Sequence, residues 1–111
     1  MDSAKAELDQ ERCWALLTSG SFGRVALNAR AMPVIVPVRY AVGHGGVRVQ
    51  PPEDAGMDDA LTGSVVAFQA DGFDDAERAW SVHLVGRVSG QDASGFEIVA
   101  SVIEGRWLTF F

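Results

Sequence analysis

Lysine is almost missing from this chain. Lys5 is the sole example, and eight arginines scattered from Arg12 to Arg106 are the other strong cations. Fifteen Asp and Glu residues outnumber them, for a net charge of −6. Non-specific nucleic-acid binding needs clustered Lys and Arg, so no nucleic-acid partner is expected. Cysteine is nearly as scarce. Cys13 stands alone, which rules out an internal disulfide and leaves a thiol-based metal site short of ligands. A reducing, cytoplasmic setting is the simplest expectation. No apolar run approaches the roughly 20 residues that span a bilayer, so no membrane role is expected. The opening MDSAKAELDQE has no basic stretch followed by an apolar one, the mark of a signal peptide.

What is present reads as one small β domain over 1–111. At 48% hydrophobic and 22% charged, with 12 glycines, the composition is globular. A chain of 111 residues buries only about two thirds of its unfolded surface, so a self-associating face would help it. Residues 9–19 have helical spacing: Cys13, Trp14 and Leu17 share a stripe. Asp9 can cap this helix, Leu8 can staple onto Cys13, and Gly20 is placed to end it in a left-handed conformation. The period then becomes two. FGRVALNA (22–29), MPVIVPVRYAV (32–42) and VRVQ (47–50) read as an antiparallel meander, turned by NARA and by GHGG. PPEDAGMDDALTG (51–63) is an acidic loop with a short helix at 57–62. SVVAFQAD (64–71) and AWSVHLVGRVSG (79–90) are two further strands. Residues 93–104 are apolar at partly helical spacing, through Phe96, Val99, Ala100 and Ile103, and RWLTFF closes the chain as a strand. The expected architecture is a mainly β, antiparallel, Greek-key-like barrel with barrel strands over 22–90 and short helices at both ends.

Pro37 in the middle of PVIVPVRY raises a question. Proline cannot donate a ladder hydrogen bond, so it belongs on an edge, at a bulge, or beside something that is not a strand. The stretches LLTSGSFGRVAL, PVIVPVRYAV and FDDAERAWSVHLVGRV, with WSV followed by GR as the most specific part, resemble the pyridoxamine 5′-phosphate oxidase-like family of FMN-binding split barrels. The likeness covers roughly residues 8–90. It implies a homodimer with flavin sites at the subunit seam, and a second strand, Val36, Pro37, Val38, Arg39 and Tyr40, that offers backbone groups to the isoalloxazine edge. The proline would then face a planar cofactor instead of a strand; the plain alternative is a bare edge or bulge. The resemblance also brings Trp80 and Ser81 to the cofactor from the partner subunit. Read from the residues alone, Trp80 is equally a core or interface aromatic, and Tyr40 is core or cleft.

One segment departs from the family. Its usual Arg-Thr, then Thr-Lys-Leu, falls here on Gln50, Pro51, Ala55, Gly56 and Met57. Every charged or hydroxyl group of that pattern is absent, and Pro51 and Pro52 remove two backbone donors. Glu53, Asp54, Asp58 and Asp59 add negative charge. At an effective dielectric of about 20, unit charges about 6 Å apart interact by about 2–3 kcal/mol. FMN phosphate binding is therefore expected to be weakened. Arg39 and Arg48 on the second and third strands could reach a phosphate in their place; the plainer reading of each is a solvated strand residue or a rim ion pair with Glu53 or Asp54. Gln50, Pro51, Gly56 and Met57 remain the candidate phosphate-side residues. Two readings stay open: a flavin-dependent oxidoreductase, with FMN or the deazaflavin F420, and a non-catalytic dimer that binds no flavin or another small molecule. His44 in its turn and His83 on its strand have no spaced partners, so no metal site is expected. No nucleophile–base–acid triad can be assembled.

Overall fold

The computed structural model describes residues 6–55 and 61–110, the Asp54 side chain excepted. The helix expected at 57–62 rests on residues outside this set, as do the candidates Gly56 and Met57. Strand β1 (Glu7–Leu8) leads into helix α1 (Gln10–Ser19). There follow β2 (Phe22–Ala29), β3 (Met32–Gly43), β4 (Gly46–Gln50), one 3-10 turn at Glu53–Ala55, β5 (Val65–Phe73), β6 (Ala79–Asp92) and β7 (Gly95–Trp107). The sheet order is β1-β7-β4-β3-β2-β5-β6, and β7 also pairs with β6. That last pairing closes a six-stranded antiparallel barrel, with β1 appended outside it.

The helix starts where its cap predicts. Asp9 accepts the Arg12 N–H at 2.8 Å. Cys13, Leu16 and Leu17 face the core, and the Cys13 thiol points at the Leu8 carbonyl. Gly20 ends the helix differently from expectation: its φ of −109° is extended, not left-handed. Glycine is needed there for space. A Cβ would lie 2.7 Å from the Tyr40 hydroxyl, which donates to the Leu17 carbonyl. Alternation does the rest. Val25, Val38, Tyr40, Val49, Phe68, Trp80, Val82, Leu84, Phe96 and Ile98 all point inward and are buried.

The C-terminal segment corrects the sequence reading. The helix expected at 93–104 is strand, continuous with part of RWLTFF as β7. The cause is a bulge. Val85 pairs with Val102 and Gly86 with Ala100, so Ser101 is an extra residue in the ladder. It shifts the inward phase from Phe96, Ile98 and Ala100 to Ile103, Gly105 and Trp107. The result is apolar spacing of 4 then 3 along a strand, which imitates a helix.

Candidate functional site

The site grows out of how β3 is paired. Its whole first part lies against β2, from Met32↔Ala29 to Arg39↔Phe22. On its other side β4 reaches only from Gly43↔Gly46 to Arg39↔Gln50. Tyr40 donates its N–H to the Ser21 carbonyl on the β2 side. Backbone direction alternates along a strand, so Pro33, Ile35 and Pro37 turn their backbone groups toward the edge that β4 leaves open. Two of those three positions have no N–H. Pro37 thus interrupts no ladder, and it sits beside a hollow.

That hollow has a volume of about 560 Å³ and is lined by Phe22, Pro37, Val38, Arg39, Gln50, Pro51, Pro52 and Glu53. The size falls in the range of about 300–1,000 Å³ usual for small-molecule sites. Its walls are mainly apolar, with Arg39, Gln50 and Glu53 as the polar groups. Phe22, 62% exposed, stands on the outer face beside Arg39, its register partner. A second hollow of about 300 Å³ shares Arg39 and Gln50 and continues over Ala41, Arg48 and Ser94. Among the described residues the Arg39 side chain makes no hydrogen bond and no ion pair. Arg48 is engaged, and its partners among the described side chains do not include Glu53. It is held at 2.9 Å by Asp92 and at 4.0 Å by Glu97, and it donates to Ser94 at 3.1 Å. Hydrogen bonds from the Ser94 hydroxyl and N–H, aided by Arg48, pull the Asp92 carboxyl below its ordinary pKa.

The structure gathers Pro37, Val38, Arg39, Gln50 and Pro51 around one hollow. It places the other candidates elsewhere. Val36 points inward and packs half-buried against the core. Tyr40 is buried edge-on to Phe68, and burial pushes its pKa up to about 12. Trp80 is core, with 3% of its surface exposed. Ser81 lies on the outer face of β6, accepts from Gln69 at 3.0 Å, and lines a separate cleft of about 570 Å³ with Glu7, His83, Glu104 and Arg106. His83 there stands 3.7 Å from Glu104, while His44 is exposed in its turn. Phe22 and Pro52 are wall residues that sequence reasoning missed. Their signal was register: Phe22 pairs with Arg39, and Pro52 follows two residues after Gln50. Among the described residues no group of three or more His, Cys, Asp and Glu could hold a metal ion. No described helix is long and apolar enough to cross a membrane.

These residues fit a flat, mostly apolar ring with polar edges. They do not fit a phosphate in the mouth formed by Gln50–Glu53, where two residues lack N–H groups and the one side chain with formal charge is Glu53. No curated protein matches the chain. Among solved structures, an FAD-binding protein from Mycobacterium smegmatis is 27% identical with a TM-score of 0.75, over 93% of this chain and 97% of that one. An FAD-binding protein from Mesorhizobium loti is 19% identical with a TM-score of 0.72, over 91% and 94%. A conserved protein of unknown function from Corynebacterium diphtheriae is 21% identical with a TM-score of 0.70, over 93% and 97%. The last two show shared fold alone. The sequence model described as pyridoxamine 5′-phosphate oxidase matches residues 9–107, nearly the whole barrel, and on that match the chain belongs to the pyridoxamine 5′-phosphate oxidase family of split barrels.

Proposed function

We propose that the protein is a flavin-binding oxidoreductase that works as a homodimer, with the isoalloxazine ring lying along the open edge of β3 in the hollow of Pro37, Arg39 and Gln50. The observation that carries this is the edge itself: a strand whose outward backbone positions are two prolines around Ile35, flanking an apolar hollow of about 560 Å³. Such an edge is useless for adding a strand but leaves carbonyl acceptors and the Ile35 N–H to meet the polar rim of a ring. The 27% identity to an FAD-binding protein supports a flavin over other planar ligands.

A bound flavin supplies the hydride or single-electron chemistry, so the chain needs no general base of its own. Its residues bind and orient. Phe22, Pro37 and Pro51 exclude water from the ring faces. Gln50 offers both a donor and an acceptor. Arg39 supplies a positive charge at the hollow that is unengaged among the described residues, suited to electron-rich oxygens at the ring edge or on the side chain.

The dimer rests on the resemblance and on exposed apolar surface. The register row Ile35–Ala26–Ala67–Val85–Val102 runs across five strands with every side chain on the outer face. Ile35 is 71% and Val102 47% exposed. A second copy covering part of this row would also bring the partner subunit's β6 surface toward the hollow.

The cation-poor Gln50–Glu53 mouth favours a second reading, a family member that has lost flavin and serves without catalysis. One experiment separates the two. The purified protein is inspected for flavin absorbance, then titrated with riboflavin, FMN, FAD and F420, with light scattering for mass. Flavin absorbance or micromolar binding on a dimer supports the oxidoreductase reading. A dimer that binds none of the four ligands leaves the second reading in its place. A monomer defeats the proposed assembly.

A further inference from the structure

The phosphate-side residues of the family pattern are replaced here, yet the outer face of the β3–β4 hairpin carries a different pair of cations. Arg39 faces Gln50 across the ladder and Ala41 faces Arg48. Arg39 and Arg48 are therefore diagonal neighbours, whose Cβ atoms stand about 7–8 Å apart in such a pair. Between them lies Ala41, whose methyl group leaves the hollow of about 300 Å³ open. The Gln50 side chain and the Ser94 hydroxyl complete its rim. This hollow runs directly into the ring-sized one, because Arg39 and Gln50 line both.

We propose that the anionic tail of the flavin is held here, between Arg39 and Arg48 over Ala41, and not by the 50–57 loop. This assignment rests on the flavin reading above and adds to it a relocated anion subsite. Two arginines on either side of a small floor suit a tetrahedral dianion, since each guanidinium can turn a two-donor fork toward it. Arg39 is unengaged among the described residues and needs no rearrangement. Arg48 enters partly masked. Both Asp92 oxygens accept from its Nη2, while Nη1 donates to the Gly90 carbonyl at 3.4 Å and stands 4.0 Å from Glu97, so an arriving phosphate competes with Asp92 for Nη2. Affinity is accordingly set by a balance between this internal carboxylate and the ligand.

Riboflavin and FMN share one ring and differ by the phosphate, so their affinities isolate the subsite. The wild-type protein is expected to bind FMN about tenfold or more tightly than riboflavin, with the gap narrowing as salt rises. Arg39→Gln should cost FMN about tenfold more in affinity than it costs riboflavin, whose ring shares the hollow but carries no phosphate. Arg48 also ties β4 to the β6–β7 hairpin, so its replacement risks the fold. Asp92→Asn is the cleaner probe, because the amide oxygen still accepts from Ser94 while the charge is lost. It should raise FMN affinity about threefold to tenfold with riboflavin unchanged. Equal wild-type affinities for FMN and riboflavin would overturn the subsite while leaving the ring site standing. So would an Arg39→Gln protein that loses both ligands alike, or an Asp92→Asn protein with unchanged or weaker FMN binding. If neither ligand binds, the flavin reading falls and this assignment falls with it.

Discussion

The Tyr40 side chain joins the end of the helix to the barrel core. Its ring packs against Phe68 at a centroid distance of 4.9 Å, and its hydroxyl donates to the carbonyl of Leu17 at the helix end. The same hydroxyl occupies the space that a side chain at position 20 would need. Tyr40→Phe should therefore cost about 0.5–1.5 kcal/mol, while Gly20→Ala should cost more in the wild type than in the Tyr40→Phe background. A double-mutant cycle by urea denaturation reads the coupling, expected at about 1 kcal/mol; additive costs would mean that the two residues do not share that space. Burial raises the Tyr40 pKa from 10 to about 12 in the folded protein. A phenol whose folded pKa is raised gives its full stabilisation below pH 10, and loses it as pH rises through about 12. A shift of that size corresponds to about 2–3 kcal/mol lost across this window. The loss should vanish in Tyr40→Phe, as followed by stability measured at pH 9 to 12. The sequence left Tyr40 between core and cleft, because alternation with Val38 puts it inward but says nothing of what its hydroxyl meets. Trp80 was ambiguous for the same reason. Its burial depends on β5 and β7 closing over β6, a long-range fact that no local pattern encodes.

Among the elements, the hairpins show most clearly what local pattern can and cannot carry. GHGG announces its turn, and Gly45 takes a positive φ of 71° as its composition suggests. The turn between β2 and β3 does not announce itself so well: Arg30 and Ala31 adopt φ of 52° and 63° without being glycine or asparagine. Left-handed backbone at two successive central positions matches a type I′ hairpin, whose twist suits the flanking strands. Each non-glycine residue held there costs roughly 1 kcal/mol. Arg30→Asn with Ala31→Gly should thus stabilise the protein by about 1–2 kcal/mol, seen as a rise of several degrees in Tm. A fall in Tm would mean that one of these side chains supports the hairpin. The strands β2 to β6 were legible because alternation ran unbroken in each. β7 was not, because one extra residue opposite Val85 and Gly86 changed its phase midway. A bulge is set by the partner strand, so its position is hidden from a reading of β7 alone.

For the whole molecule, the open edge of β3 and the apolar outer row belong to one design problem, which is where a closed barrel may still be approached. Closure through β6–β7 removes most strand edges, and Pro33 and Pro37 deny the remaining one to a foreign strand. A second copy would then have to dock through side chains. The family pattern named Pro37, Arg39 and Gln50 together, and strand pairing does bring those residues around one hollow. It could not show that Ser81 and His83 line another cleft of the same chain, because bringing that cleft near the hollow takes a second subunit. If a second copy covers Ile35 and Val102, a charge placed at either should be nearly silent in the isolated fold, where both are about half or more exposed, yet damaging to assembly. Ile35→Asp and Val102→Asp are each expected to shift the mass from dimer to monomer in light scattering, and to weaken flavin binding together with it. Thermal stability measured at a concentration where the wild type is itself monomeric should change by less than about 0.5 kcal/mol. A variant that remains dimeric with a full flavin site would place the contact on another face, with Phe22, Val65, Phe73 and Val99 as the remaining large apolar side chains exposed along β2, β5 and β7.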